Sequence, residues 1–73
     1  MEVTFTDYAL MRMHQRDILE EEVMAVLDSP PSRHTARKDG RREARARVRR
    51  KQLLVVYVRR GESAEVLNAM WEA

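Results

Sequence analysis

The first part of the chain combines a short strand pattern with two helical patterns. Residues 1–5 alternate apolar and polar side chains, which is typical of a strand. Thr6 is a candidate helix N-cap, and apolar residues at helical spacing predict a first helix that ends near His14 or Gln15. Asp17 and Glu20 fit a capping box, which predicts that a second helix begins there. Two prolines end this helix, because proline lacks the backbone N–H that a helix interior needs.

The second part of the chain has the two-residue period of a sheet. Residues 32–38 predict an edge strand, and the Asp-Gly pair at 39–40 predicts a tight turn. Residues 41–49 alternate small apolar side chains with charged ones, and Arg50-Lys51 is the predicted turn after them. The apolar, β-branched run at 53–58 predicts a central strand that is covered on both faces.

The last element, residues 64–71, is ambiguous. Its residues are good helix formers, which favours a short helix, whereas its place after a series of predicted strands favours a further strand. In either case the chain is short enough to predict one α+β domain, residues 1–73, with a thin hydrophobic core.

Charge is distributed unevenly although the formal net charge is only +2. Residues 1–28 hold two arginines and seven carboxylates, whereas residues 33–51 hold ten Lys or Arg side chains and two carboxylates. A basic segment of this kind suits a polyanionic partner. The chain has no cysteine and no run of apolar residues long enough to cross a bilayer. We therefore expect a cytoplasmic protein with no membrane segment, no metal site and no cofactor.

Alternate arginines carry the main functional signal. Arg45, Arg47 and Arg49 lie two residues apart, so a strand places all three on one face at about 7 Å spacing. That spacing is close to the distance between successive phosphates, and each guanidinium can bind a phosphate with two hydrogen bonds. A solvated sheet face and a dock for an acidic protein segment are the alternatives. The candidate residues for nucleic-acid binding are Arg41, Arg42, Arg45, Arg47, Arg49, Arg50 and Lys51.

Candidate acid–base chemistry is limited to a few side chains. His34 lies in the basic segment, where an imidazole could act as a general acid or base. Tyr57 lies in the predicted central strand, either as a core residue or as a hydrogen-bonding residue beside the arginines. With Arg47 and Arg49 as cationic support, these two residues complete the predicted catalytic set. Trp71 is expected to pack or to form an interface.

The chain resembles a family of small bacterial domains of unknown function. The likeness lies in residues 6–18, in the Glu-Glu-Glu-Val run at 20–23, in the Leu-Leu-Val-Val-Tyr-Val strand at 53–58 and in Met70-Trp71. Tyr8 stands where that family's pattern has histidine. The family is similar in layout to the RelE/ParE toxins of toxin–antitoxin pairs, which implies a β-α-α-β-β-β order with a two-helix hairpin packed on a small antiparallel sheet.

This resemblance also implies two activities and a partner. RelE-like toxins cleave messenger RNA, ParE-like toxins act on DNA gyrase, and both are neutralised by an antitoxin protein. The sequence-based hypothesis is therefore an RNA-binding domain that could be a metal-independent endoribonuclease. The alternative is a non-enzymatic interaction module that docks an acidic partner or associates with itself.

Overall fold

The computed structural model describes residues 1–72; Ala73, the last residue of the predicted domain, lies outside the described residues. It shows an α+β fold of two helices and a five-stranded mixed sheet. The elements in chain order are β1 (Glu2–Phe5), α1 (Asp7–Gln15), α2 (Glu20–Leu27), a 3-10 turn (Pro31–Arg33), β2 (His34–Ala36), β3 (Arg42–Val48), β4 (Lys51–Arg60) and β5 (Ser63–Glu72). Within residues 1–72, neither helix has the length and apolar character needed to cross a membrane.

The strand order across the sheet is β1-β5-β4-β3-β2. Strands β2 to β5 pair antiparallel with their neighbours, whereas β1 pairs parallel with β5. The expectation of a wholly antiparallel sheet is wrong for this pair. Both helices and three hairpin turns lie between β1 and β5 along the chain, so the two strands are not joined by a hairpin that would make them antiparallel. Four strands follow the helices, one more than the resemblance implied, since the short β2 is a separate edge strand.

The predicted cap of α1 is confirmed, whereas that of α2 is wrong. The hydroxyl oxygen of Thr6 accepts a hydrogen bond from the backbone N–H of Ala9 at 3.0 Å. Helix α2 has Leu19 as its N-cap, and the carboxylate of Glu22 accepts the backbone N–H of Leu19 at 2.9 Å. This is the half of a capping box that needs no polar N-cap side chain.

Asp17 instead closes the end of α1. It has a positive φ of 56°, and the N–H of Ile18 donates to the carbonyl oxygen of Met13 at 2.9 Å. The N–H of Asp17 donates to the carbonyl oxygen of His14 at 3.3 Å, which completes a Schellman-type ending. The residue that looked like the start of the second helix is thus the turn that separates the two helices.

Residues 64–71 form a strand, so the ambiguity of the last element is resolved. Strand β5 pairs with β4 along its length, and Ala64, Val66 and Ala69 are buried. The register of β4 and β5 shifts between Val56 and Tyr57. The buried residues of β5 are therefore two apart before the shift, at Ala64 and Val66, and three apart across it, at Val66 and Ala69. Pairing with a buried central strand outweighs the helix propensity of this segment.

The helices cover only one face of the sheet, here called the helix face. Helix α1 packs on β5, and α2 packs on β3 and β4. Alternate strand residues, such as Ala44, Val55 and Val66, point into the core formed with Met13 and Val23. The opposite face, called the open face, carries the side chains between them, so Arg45 and Arg47 lie on it.

The turn between β3 and β4 differs from the predicted one by a residue. Val48 pairs with Lys51, and the two residues between them, Arg49 and Arg50, have positive φ values of 50° and 68°. Two-residue hairpin turns favour this conformation, but Asn and Gly are the residues that adopt it at low cost. Arg49 therefore lies outside the strand, and its side chain does not follow the alternation that places Arg45 and Arg47 on one face.

Candidate functional site

His34, Tyr57 and Arg42 meet at one phenol oxygen; we call this group the phenol site. The Nδ1 atom of His34 lies 2.7 Å from the Oη atom of Tyr57. The Nε–H group of Arg42 donates to the same oxygen at 3.2 Å. Two residues predicted as catalytic and one predicted for nucleic-acid binding are thus in direct contact.

Strand register brings these three side chains together. Arg42 is the partner of Tyr57 across the β3–β4 pair, and His34 is the partner of Ala44 across the β2–β3 pair. All lie on the helix face, beyond the end of α2. Tyr57 is only 2% exposed, so its ring belongs to the core while its oxygen is directed to the polar edge. Tyr57 is therefore a core residue through its ring, and its oxygen forms a hydrogen bond with Arg42.

A small cavity opens next to the phenol oxygen. It has a volume of about 210 Å³, and Arg59 and Ser29 line it together with the phenol site. Neither was singled out from the sequence. Arg59 could have been found, because it lies two residues after Tyr57 and so projects from the same face of β4. The cavity combines two arginines with an imidazole and a phenol, which suits a bound phosphate.

The phenol site provides partners for the His34 ring in more than one protonation state. The Nε2 atom of His34 lies 3.3 Å from the hydroxyl oxygen of Ser29 and 3.2 Å from its carbonyl oxygen. A protonated ring donates to Tyr57 through Nδ1 and to Ser29 through Nε2. A neutral ring either donates to Ser29 and accepts from Tyr57, or donates to Tyr57 and accepts the Ser29 hydroxyl. The ring can therefore gain or lose a proton without losing its position.

Arg45 is paired with two carboxylates on the open face. Its guanidinium contacts Glu43 at 3.0 Å and Glu72 at 3.0 Å. Glu72 lies on β5, so the Arg45 side chain crosses β4 above Leu54, its partner in the register. The hydrogen bond that Arg45 donates to Glu72 is the largest cause of its raised pKa; burial acts against it, and the charges of Glu72 and Glu43 act with it. Its charge is neutralised locally, and its stem covers an apolar strand position.

Arg49 is paired as well, but towards the helices. Its Nε and Nη2 atoms bind the carboxylate of Glu22 at 2.6 Å and 2.9 Å, and a third contact reaches the carboxylate of Asp17 at 3.3 Å. The hydrogen bond from Arg49 is the largest cause of the lowered pKa of Glu22. The prediction that Arg45, Arg47 and Arg49 project together is therefore wrong for Arg49, because it sits in the turn.

Three other predicted cations form what we call the turn cluster: Arg47, Arg50 and Lys51. Arg47 donates to the backbone carbonyl oxygen of Arg50 at 3.1 Å, and these three side chains have no carboxylate partner within residues 1–72. They line one groove at the turn end of the hairpin. Arg41 lies apart from them in the β2–β3 loop, 3.9 Å from Asp39.

The turn cluster and the phenol site lie at opposite ends of the β3–β4 hairpin. Arg42 and Arg47 are about 17 Å apart along β3, at roughly 3.3 Å per residue. Arg47, predicted as catalytic, is therefore remote from His34 and Tyr57. In the described part of the chain, no three His, Asp or Glu side chains lie together in a way that could hold a metal ion.

Comparison with known proteins does not assign the chain to a family. No family model, no curated protein and no solved structure matches the chain. The likeness to the RelE/ParE toxins stays a prediction, and the function has to be argued from the two sites.

Proposed function

We propose that the chain is a cytoplasmic, RelE/ParE-like toxin-type domain that binds RNA and cuts it without a metal ion. The observation that supports this proposal best is the phenol site, where Tyr57 contacts His34 at 2.7 Å and Arg42 at 3.2 Å. RNA cleavage needs a base for the 2′-hydroxyl, an acid for the leaving oxygen and positive charge near the phosphorane. The phenol site contains one candidate base and one candidate acid, and with Arg59 it supplies two candidates for the positive charge.

The roles follow from which atoms can reach a phosphate in the cavity. Both nitrogens of His34 are engaged within the protein, so a substrate hydroxyl must replace Ser29 at Nε2. In the reacting form, Nδ1–H donates to Tyr57 and Nε2 is free to accept the proton. Arg42 already donates to the phenol oxygen, which leaves the phenol O–H directed outward as an acid. Arg42 and Arg59 then supply the positive charge.

The proposed reaction is a transesterification in which every proton and bond is accounted for. His34 Nε2 takes the proton of the 2′-hydroxyl, the 2′-oxygen forms a bond to phosphorus, and the bond from phosphorus to the 5′-oxygen breaks. Tyr57 gives its proton to the 5′-oxygen. The Nδ1 proton of His34 then passes to the tyrosinate across their hydrogen bond, which leaves the ring as the Nε2–H tautomer, and proton exchange with solvent restores the reacting form. The products are a 2′,3′-cyclic phosphate and a 5′-hydroxyl.

Binding is assigned to the turn cluster, where the cations are not already neutralised by carboxylates. Nucleic-acid affinity at moderate salt comes largely from neutralised phosphates. Arg47, Arg50 and Lys51 are available for this, whereas Arg45 and Arg49 would have to give up internal partners. In a toxin-type domain the same proposal includes an antitoxin protein as the natural partner.

The test is incubation of the purified protein with RNA in excess EDTA, followed by analysis of the product ends. We expect cut RNA with 2′,3′-cyclic phosphates and 5′-hydroxyls, and no cutting of the same sequence made of DNA. RNA that is bound in a salt-dependent manner but stays intact would remove the enzymatic half of the proposal. RNA that is neither bound at low salt nor cut would remove both halves.

A second candidate function is a self-associating interaction module. Leu10 on α1 and Leu19, the N-cap of α2, are 39% and 50% exposed and line one groove. Exposed apolar side chains grouped on one surface are typical of protein contacts. This function predicts a molecular mass that rises with concentration in sedimentation and falls back to that of one chain in Leu19→Gln. A monomer at all concentrations would exclude it.

A further inference from the structure

Trp71 occupies a fixed position at the turn end of the sheet. It is the only tryptophan of the chain and pairs with Leu53 across the β4–β5 register. Its indole N–H donates to the carbonyl oxygen of Arg16 at 2.8 Å, which fixes the plane of the ring. The side chain is half-buried and packs against the core. A ring held in this way by the protein needs no reorganisation in order to bind a flat ligand.

Cations lie over the ring of Trp71. The guanidinium carbon of Arg49 is 5.1 Å from the ring centroid, and the Nζ atom of Lys51 is 5.5 Å from it. Arg49 is held in place by Glu22, at 2.6 Å. Lys51 is exposed, and the described residues place no carboxylate next to it. A ligand that reaches the ring from the groove lined by Lys51 and not by Arg49 can therefore displace the Lys51 ammonium, which can turn to a nearby phosphate, while Arg49 stays in place.

An open groove leads to the ring from the turn cluster. Its volume is about 920 Å³, and Trp71 and Gln52 line it together with the three cations of the turn cluster. That size is within the range of about 300–1,000 Å³ common for ligand sites. The carboxylate of Glu72 also lines the groove, but it is bound to Arg45 at 3.0 Å and so repels an incoming phosphate less.

The backbone of the turn is consistent with a binding role. Arg49 and Arg50 both have positive φ, a conformation that glycine or asparagine would adopt with less strain. Strained backbone of this kind concentrates at functional sites. Here the turn places Arg49 over the indole ring and Arg50 in the same groove as Trp71.

We infer that Trp71 and the turn cluster form a subsite for single-stranded RNA, in which one nucleobase stacks on the indole and Arg47, Arg50 and Lys51 hold the flanking phosphates. The inference deepens the proposed function, on which it rests for the kind of polymer, and adds a selection for unpaired bases. In a duplex each base is stacked between its neighbours and cannot reach a protein ring. Stacking on an aromatic side chain tolerates every base, so the subsite selects for strandedness more than for sequence.

Because the chain has one tryptophan, its fluorescence reports on this subsite alone. The probe is a labelled single-stranded oligonucleotide of 2′-O-methyl uridine, which cannot be cleaved; anisotropy measures binding and Trp71 fluorescence measures stacking. We expect binding with quenching. An abasic oligonucleotide of the same length and a duplex are expected to bind with at least about fivefold lower affinity and without quenching, given a stacking contribution of about 1–3 kcal/mol per base.

Trp71→Phe and Trp71→Leu complete the test. We expect Trp71→Phe to retain most of the affinity for the single strand, and Trp71→Leu to lose at least about fivefold while binding the abasic probe as the unchanged protein does. If Trp71→Leu does not fold, the abasic and duplex probes on the unchanged protein decide the matter. Equal affinity for all three probes, binding without quenching, or no binding would overturn the inference. Since none of these probes can be cut, the result is independent of whether the phenol site cleaves RNA.

Discussion

The two ends of the β3–β4 hairpin use arginine in different ways. At the end near β2, Arg42 donates to a phenol oxygen that is also bound by His34, so its charge is built into a polar network. At the turn end, Arg47, Arg50 and Lys51 project into a groove with no carboxylate partner in the described chain. In the proposed function, this difference separates chemistry from binding. Substitutions at one end should change the cleavage rate, and substitutions at the other should change the affinity.

A second contrast exists within the turn end itself. Arg45 and Arg47 lie on the same face of the same strand, yet Arg45 contacts Glu43 and Glu72 whereas Arg47 contacts only a backbone carbonyl. Spacing along a strand determines where a side chain points, but the neighbouring strands determine whether its charge is available. Arg45 is thus a matched control for Arg47.

The largest effect is expected at the phenol site. Tyr57→Phe removes the proposed acid and the oxygen that positions His34, while the core retains the ring. We expect the rate of RNA cleavage in EDTA to fall by about 100-fold or more, in the range typical of general acid–base catalysis. Affinity for an uncleavable RNA should stay within about twofold, measured by anisotropy. A variant that binds and cuts RNA as well as the unchanged protein would show that the hydrogen bond is only structural.

The next effect concerns affinity alone. Arg47→Ala with Arg50→Ala and Lys51→Ala removes the three proposed phosphate contacts, so the slope of log affinity against log salt should become shallower by about 2. Gel shifts over a range of salt concentrations measure this slope. Arg45→Met is the control and should leave the slope unchanged, because its charge is already neutralised. Equal slopes for the triple variant and the control would contradict the assignment of binding to the turn cluster.

A smaller effect is expected on stability, and in the opposite direction from binding. Arg50→Gly relieves a positive φ of 68°, which costs a residue with a side chain about 1 kcal/mol. We expect a higher free energy of unfolding in urea together with weaker RNA binding. Arg50→Ala is the control, since it removes the charge and leaves the strain. A Gly variant no more stable than the Ala variant would mean that the turn is relaxed in solution.

The smallest effect is expected in acid. The pKa of Glu22 is lowered from 4.5 in the folded chain, mainly by its hydrogen bond with Arg49. A folded-state pKa below the unfolded value stabilises the fold above the unfolded pKa, and this contribution is lost as the pH falls through the lowered value. The melting temperature of the unchanged protein should therefore fall more between neutral pH and about pH 3.5 than that of Arg49→Met. If the melting temperatures of the two proteins fall equally with pH, the ion pair of Arg49 and Glu22 does not stabilise the fold.

Much of the fold followed from the residue pattern, because its signals are local. The Thr6 cap, the Asp-Gly turn at 39–40 and the apolar strand at 53–58 depend on neighbours within a few residues. The misplaced start of α2 and the misplaced β3–β4 turn depend on positive φ at Asp17, Arg49 and Arg50. Positive φ is uncommon for every residue except glycine, and arginine is not enriched in it as Asn, Asp and His are, so Arg49 and Arg50 did not indicate the turn.

The candidate site was only partly predictable for a different reason. His34 and Tyr57 were chosen for their chemistry, but their 2.7 Å contact arises from pairing across three strands, which no local pattern specifies. Glu43, two residues from Arg45, was visible in the local pattern, but Glu72 and Glu22, which also bind Arg45 and Arg49, are both 27 residues away along the chain. The charge of a residue can be read from the sequence, but its partners are set by the tertiary fold.

The decisive measurement compares two histidine variants, purified identically, for RNA cleavage in EDTA. His34→Ala removes the proposed base, whereas His14→Ala removes an exposed histidine on α1 that lies outside both sites. We expect His14→Ala to cut RNA at the rate of the unchanged protein and His34→Ala to be slower by about 100-fold or more, with both variants binding RNA equally well. Equal cleavage by the two variants would show that the phenol site is not where RNA is cut.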